Sequence, residues 1–154
     1  MSAQPESEHQ RLAVLVGRWK TDGTTRPRSD APAITVDAID TYEWLPGHRG
    51  LLHRVDAWMG DEHVEGAEII GWDPVRGSYV TMYFGTDGPG SYEASLVDED
   101  ETLVWRMRSE SERFTGRFSP DGNTIVGHWE IKETGTEWVS WMDITLTKRD
   151  DAFG

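Results

Sequence analysis

Five residues of this chain could do chemistry together: Tyr42, His53, Glu68, Tyr83 and, at the end of the row, Tyr92. An imidazole beside a carboxylate shifts the proton affinity of both, and phenols can hold a polar head group or an oxyanion. Three readings follow. The row is a satisfied polar network that fixes strand register. Or it orients the polar end of a ligand whose apolar body lies against Trp44, Trp72, Trp105 and Trp129. Or it is catalytic, with His53 as general base held by Glu68 and with Tyr83 or Tyr42 stabilising an oxyanion. The leading expectation is the binding of a small, largely apolar or aromatic molecule. The alternative is a small enzyme of isomerase or lyase type. No nucleophilic serine or cysteine motif accompanies the row, so acyl transfer is not expected. A carboxylate at the site suits a neutral or cationic ligand better than an anion, and tryptophan faces suit a cation too.

The elements that must position these residues are strands. After residue 34 the chain reads as about nine apolar-alternating runs, each closed by a turn signal. The turns are Pro46-Gly47, Gly60-Asp61, Asp73-Pro74 to Gly77, Gly85 to Gly90, Asp98 to Glu101, Asp121-Gly122 and Thr134-Gly135. A further strand around Trp19 brings the count to about ten, the rhythm of an all-β, up-and-down antiparallel barrel. A closed barrel of that size encloses room for a small ligand. Leu12, Leu15 and Val16 recur at helical spacing, so His9–Val16 is expected to form one short helix, capped by Ser7 and stopped by Gly17. It would plug or flank the barrel mouth. Residues 1–8 are expected to be a disordered tail, 9–149 a single barrel domain, and 150–154 a frayed tail.

Registers follow from matching apolar with apolar across each hairpin. Tyr42 then faces His53, His53 faces Glu68, and Glu68 faces Tyr83. Across the Gly85–Gly90 loop Tyr83 falls opposite Tyr92. Leu96 meets Leu103 and Ala94 meets Trp105. A type I′ turn at Asp121-Gly122 sets Phe118 against Ile125 and Phe114 against Trp129. The last hairpin sets Trp129 against Ser140 and Gly127 against Met142. All these pairs share one inward face. His128, paired with Thr115 and Trp141, falls on the outer face, and outward Val126, Val139 and Trp141 would suit a homodimer.

The 154 residues fit one domain. The net charge of −13 repels nucleic acid and anionic membrane, which both need a basic footprint. The chain has no cysteine, so disulfides and thiolate chemistry are excluded. No apolar run approaches a membrane span and the first ten residues carry no secretory pattern. A cytoplasmic protein is expected. The histidines at 9, 48, 53, 63 and 128 lack metal-ligand spacing, and no glycine-rich phosphate loop follows a strand. Neither metal nor cofactor is expected.

The run Leu12-Ala13-Val14-Leu15-Val16-Gly17-Arg18-Trp19 carries a Gly-x-Trp at the first strand after a short helix. It resembles the lipocalin and calycin signature, in which the tryptophan closes one barrel end. Ile70-Gly71-Trp72-Asp73-Pro74 and the closing Trp138, Trp141-Met142-Asp143 and Thr145 resemble an uncharacterised, mainly bacterial lipocalin-like family. That resemblance implies a ten-stranded barrel over almost the whole chain. Distant similarity to nitrobindins would imply haem held by a histidine near the C-terminus. No histidine follows His128, so haem is disfavoured. Similarity to fatty-acid-binding proteins would imply a buried basic pair for a carboxylate. Arg54, Arg106 and Arg117 all fall on the outer face.

Overall fold

The computed structural model describes residues 7–132 and 137–149. Its strands are β1 (Gly17–Thr25), β2 (Thr35–Trp44), β3 (Gly50–Met59), β4 (Glu62–Asp73) and β5 (Ser78–Gly85). They continue as β6 (Gly88–Glu99), β7 (Thr102–Arg108), β8 (Glu112–Phe118), β9 (Thr124–Lys132) and β10 (Trp138–Arg149). Each pairs antiparallel with its sequence neighbour, and β1 pairs with β10 from Arg18↔Arg149 to Thr25↔Met142. The sheet is therefore a closed barrel with no free edge, the all-β ten-stranded form that the alternation dictates. No helix among the described residues is long and apolar enough to cross a membrane.

The N-terminal segment is shorter and tighter than a single helix over His9–Val16. One α-helical turn, α1 (Glu8–Arg11), runs into a 3₁₀ turn over Leu12–Leu15. Ser7 does cap it: its Oγ accepts from the Gln10 N–H while the Gln10 side chain accepts from the Ser7 N–H. Ser7 and Glu8, expected within the tail, therefore belong to this capped turn. Residues 1–6 and 150–154, and the Thr134-Gly135 turn, lie outside the described residues. Leu12 and Leu15 are fully buried, and the Trp19 indole N–H donates to the Leu15 carbonyl at 2.9 Å. The Tyr79 hydroxyl donates to the Glu8 carbonyl at 2.6 Å. These contacts seal one end of the barrel.

Several registers hold as the pattern dictates: Tyr42↔His53, His53↔Glu68, Glu68↔Tyr83, Phe114↔Trp129 and Phe118↔Ile125. Three hairpins differ. The β5–β6 turn is only Thr86-Asp87, so Tyr83 faces Gly90 and Tyr92 faces Thr81. The β6–β7 turn is only Asp100-Glu101, both at positive φ, so Leu96 faces Trp105, Ala94 faces Met107, and Leu103 faces Asp98. Between β9 and β10 a bulge falls between Ser140 and Met142, so Trp129 faces Met142, Gly127 faces Ile144, and Ile125 faces Leu146. His128 consequently pairs with Asp143 and Thr115, not Trp141. Val139 takes the register of Ile131, though it stays exposed, and the Trp141 ring meets Trp129 at 6.2 Å. The Asp121-Gly122 turn is not type I′: only Gly122 has positive φ, and Asp121 instead accepts from the Asn123 N–H and the Ser119 hydroxyl.

The interior is divided. A large aromatic cluster around Leu12, Trp19, Tyr79, Trp105 and Phe118 fills the sealed end. A small one, Ala38, Ala57 and Val64, lines the wall toward the other end. Two glycine pairs also face inward, Gly66↔Gly85 and Gly116↔Gly127. Tyr83 lies over the first pair and Phe114 over the second. Each ring occupies the space that its glycine pair leaves, in the half of the barrel away from the N-terminal seal, the open half.

Candidate functional site

Between the two clusters stands a chain of charged groups. Alternation along β2 turns Ala38, Asp40 and Tyr42 inward; along β3 it turns Leu51, His53 and Val55 inward; on β4 it turns Glu68 inward. His53 Nδ1 lies 2.9 Å from Glu68 Oε1, and its Nε2 lies 2.7 Å from Asp40 Oδ1. The Thr21 hydroxyl donates to Asp40 Oδ2 at 2.5 Å. Tyr42 stacks on the imidazole, ring centroids 4.0 Å apart. The group keeps slight contact with solvent: the side chains of His53, Asp40 and Glu68 are 12 %, 13 % and 5 % exposed.

With a carboxylate oxygen on each ring nitrogen, both nitrogens must donate, which requires the imidazolium. Burial opposes that charge, but the hydrogen bonds to Asp40 and Glu68 outweigh it and raise the His53 pKa to about 9. Burial, and then the charges of Asp40 and Glu68, push the Tyr42 phenol well above its usual 10. An imidazolium with both N–H groups committed has no lone pair to accept a proton or bind a metal. Among the described residues no cluster of three His, Asp or Glu side chains could hold a metal ion. His128 is no better placed: its Nδ1 is 2.8 Å from Asp143 and its Nε2 3.3 Å from Ser140, on the outer face, with Arg26 clamping Asp143.

The structure thus brings Tyr42, His53 and Glu68 together and separates the rest of the row. Tyr83 leans toward the β5–β6 turn, where its hydroxyl donates to Asp87 at 2.7 Å. Tyr92 donates to Glu112 at 3.2 Å and meets Trp129 edge-on. Trp129 also touches Phe114 and Trp141, so it stands on the aromatic wall of the open half. Trp44, Trp72 and Trp105 belong to the sealed end: Trp44 stacks on His48, and Trp72 and Trp105 pack on Tyr79. Asp40 is the member that the sequence row omits. Its signal was present, since it lies two residues from Tyr42 and must share its face. It sits diagonally from His53, opposite Val55, and a search along directly paired residues passes over it.

Fold and site together define a lipocalin-like ten-stranded barrel with a charged group inside. The chain belongs to the DUF1579 family, described as proteins of unknown function, whose pattern matches residues 4–148. No curated protein matches it. Among solved structures it is similar to Rv2717c from M. tuberculosis, at 10 % identity and a TM-score of 0.71, covering 94 % of this chain and 99 % of that one. It is also similar to the S-type phycobiliprotein lyase CPES from Guillardia theta, at 13 % identity and a TM-score of 0.58, covering 94 % and 93 %. These likenesses extend over the whole barrel and concern the fold.

Proposed function

We propose that the barrel binds a small, largely apolar or aromatic molecule in its open half, with the polar end of the ligand at Asp40, His53 and Glu68. The observation that carries this reading is the charged chain itself. It faces the interior, lies between two separate apolar clusters and retains contact with solvent. Buried ionic groups cost stability relative to an apolar core of the same shape, so a closed structural barrel gains little from them. A pocket with apolar walls and a few fixed polar groups is what small ligands need. Trp129, Tyr92 and Phe114 supply wall area; Tyr42 holds the imidazolium flat. The isomerase or lyase alternative loses its base, because His53 is already protonated and donates from both nitrogens.

The test is native mass spectrometry of protein purified from its own host, with an absorbance scan. The expected result is a small organic adduct that leaves on denaturation and whose retention falls in His53→Leu. A clean mass, with no absorbance beyond that of the tryptophans, would support a purely structural network instead.

A further inference from the structure

We infer that the ligand of this lumen is a monocation: a protonated amine or amidinium carried on an apolar or aromatic body. The inference rests on the binding role proposed above and names the ligand class it serves. Its first support is charge. Asp40 and Glu68 flank one imidazolium, so the three groups carry a net negative charge, and would do so more strongly were His53 neutral. Toward the open end the charged groups on or beside the inner face are again acids: Glu112 beneath Tyr92, and Asp87 beneath Tyr83.

No basic side chain offsets them from the inner face. Among the described residues the strands place no arginine inward, and Lys148, opposite Trp19, lies over that indole at the sealed end. Arg26 and Arg28 belong to the loop between β1 and β2; Arg26 holds Asp143, and Arg28 is also engaged. A low-dielectric recess lined by one sign of charge concentrates the opposite ion.

The second support is independent of charge. Thr81 is 4 % exposed, projects from the same inner face one position diagonal to Glu68, and its Oγ1 has no hydrogen-bond partner among the described residues. A buried hydroxyl left without a partner is uncommon and calls for one. Among the described residues only His53 reaches the Glu68 carboxylate, through Oε1, which leaves the other oxygen for a donor. An ammonium group brings three donors and no acceptor, so it can serve Glu68 and Thr81 at once. An anionic head group would face the Glu68 carboxylate and find only the Thr81 hydroxyl as a donor.

Three probes sharing one aromatic body separate the possibilities: 2-(1-naphthyl)ethylamine, 2-(1-naphthyl)ethanol and 1-naphthaleneacetate. Their affinities are measured on the full chain by following the indole N–H signals of its tryptophans by NMR. The expected result is that the amine binds about tenfold more tightly than the alcohol or better, with the acid weakest. Glu68→Gln and, separately, Asp40→Asn should abolish the preference for the amine over the alcohol. If the alcohol or the acid binds as tightly as the amine, with the Trp129 signal shifting, the cation inference is overturned and lumen binding stands. If no probe moves the Trp129 signal up to millimolar concentration, lumen binding falls and the cation inference with it. The comparison on the unmodified chain decides the matter even where a variant fails to fold.

Discussion

Tyr42 lies flat on His53, their ring planes 8° from parallel, while Asp40 and Glu68 hold the two nitrogen edges of the same imidazole. One ring is therefore fixed in plane by a phenol face and in rotation by two carboxylates. The stack favours the imidazolium over the neutral ring, since an aromatic face attracts a cation. The Tyr42 phenol itself stays neutral across the working pH range, because burial and then the charges of Asp40 and Glu68 oppose its ionisation.

The first consequence concerns pH. The His53 pKa rises from 6.5 to about 9 in the folded chain, so the imidazolium favours folding. That contribution is complete below pH 6.5, falls as pH rises from there to about 9, and is gone above it. The difference corresponds to about 3 kcal/mol at most. Denaturant unfolding of the unmodified protein at pH 6, 7.5 and 9.5 should show stability falling along that series. Ring carbon and nitrogen signals of His53 should report the charged form through pH 8. A neutral imidazole at pH 7 would contradict the assignment.

Removing members of the chain should rank by what each leaves behind. His53→Leu abandons two carboxylates in the interior and should cost about 3–5 kcal/mol at pH 7. Asp40→Asn and Glu68→Gln leave the imidazolium with one acid each. They should cost about 1–3 kcal/mol and lower the His53 pKa by about one to two pH units. Thr21→Val removes only the hydroxyl donor on Asp40 and should cost about 1 kcal/mol. Equal effects for His53→Leu and Thr21→Val would show that the charges are not coupled.

Most of the barrel was legible because its registers constrain each other: Tyr42, His53, Glu68 and Tyr83 could not be re-paired singly without turning apolar residues outward. What failed had no local signal. Asp100 and Glu101 adopt positive φ, a backbone that glycine or asparagine usually announces, so their tight turn read as a longer one. Gly88 and Gly90 read as loop but lie within β6, where Gly90 faces Tyr83 across the hairpin. The bulge at Trp141 swaps the face of everything before it, and neither Ser140 nor Trp141 marks it. Asp40 was missed for another reason: a diagonal contact joins residues that the pairing itself does not list as partners.

The inward glycines should differ in what they tolerate. A Cβ on Gly127 would lie 2.6 Å from the Phe114 ring and 3.1 Å from Ile144 Cγ1, both held in the interior. Gly127→Ala should therefore cost about 1–3 kcal/mol. A Cβ on Gly66 would meet the end of the Tyr83 side chain, which is half-buried and can swing toward the open end. Gly66→Ala should cost clearly less. Melting temperatures of the two variants check this directly, and the reverse order would mean that Tyr83 is locked in place and Phe114 is not.

The sealed end supplies the last prediction. Tyr79 is almost fully buried, yet its hydroxyl reaches the Glu8 carbonyl at 2.6 Å. One helical turn is too short to hold itself, so α1 depends on such tertiary contacts. Tyr79→Phe keeps the ring against Trp72 and Trp105 and removes only the hydroxyl's bonds to Glu8, to its carbonyl and, at 3.3 Å, to Oε2. The global cost should be about 1 kcal/mol. The local effect should be larger: the Arg11 N–H, which bonds to the Ser7 carbonyl, should exchange faster, while amides of β3 and β4 keep their protection. If the strand amides loosen equally, α1 and the barrel unfold as one unit, and the end seal is part of the cooperative core rather than a cover laid over it.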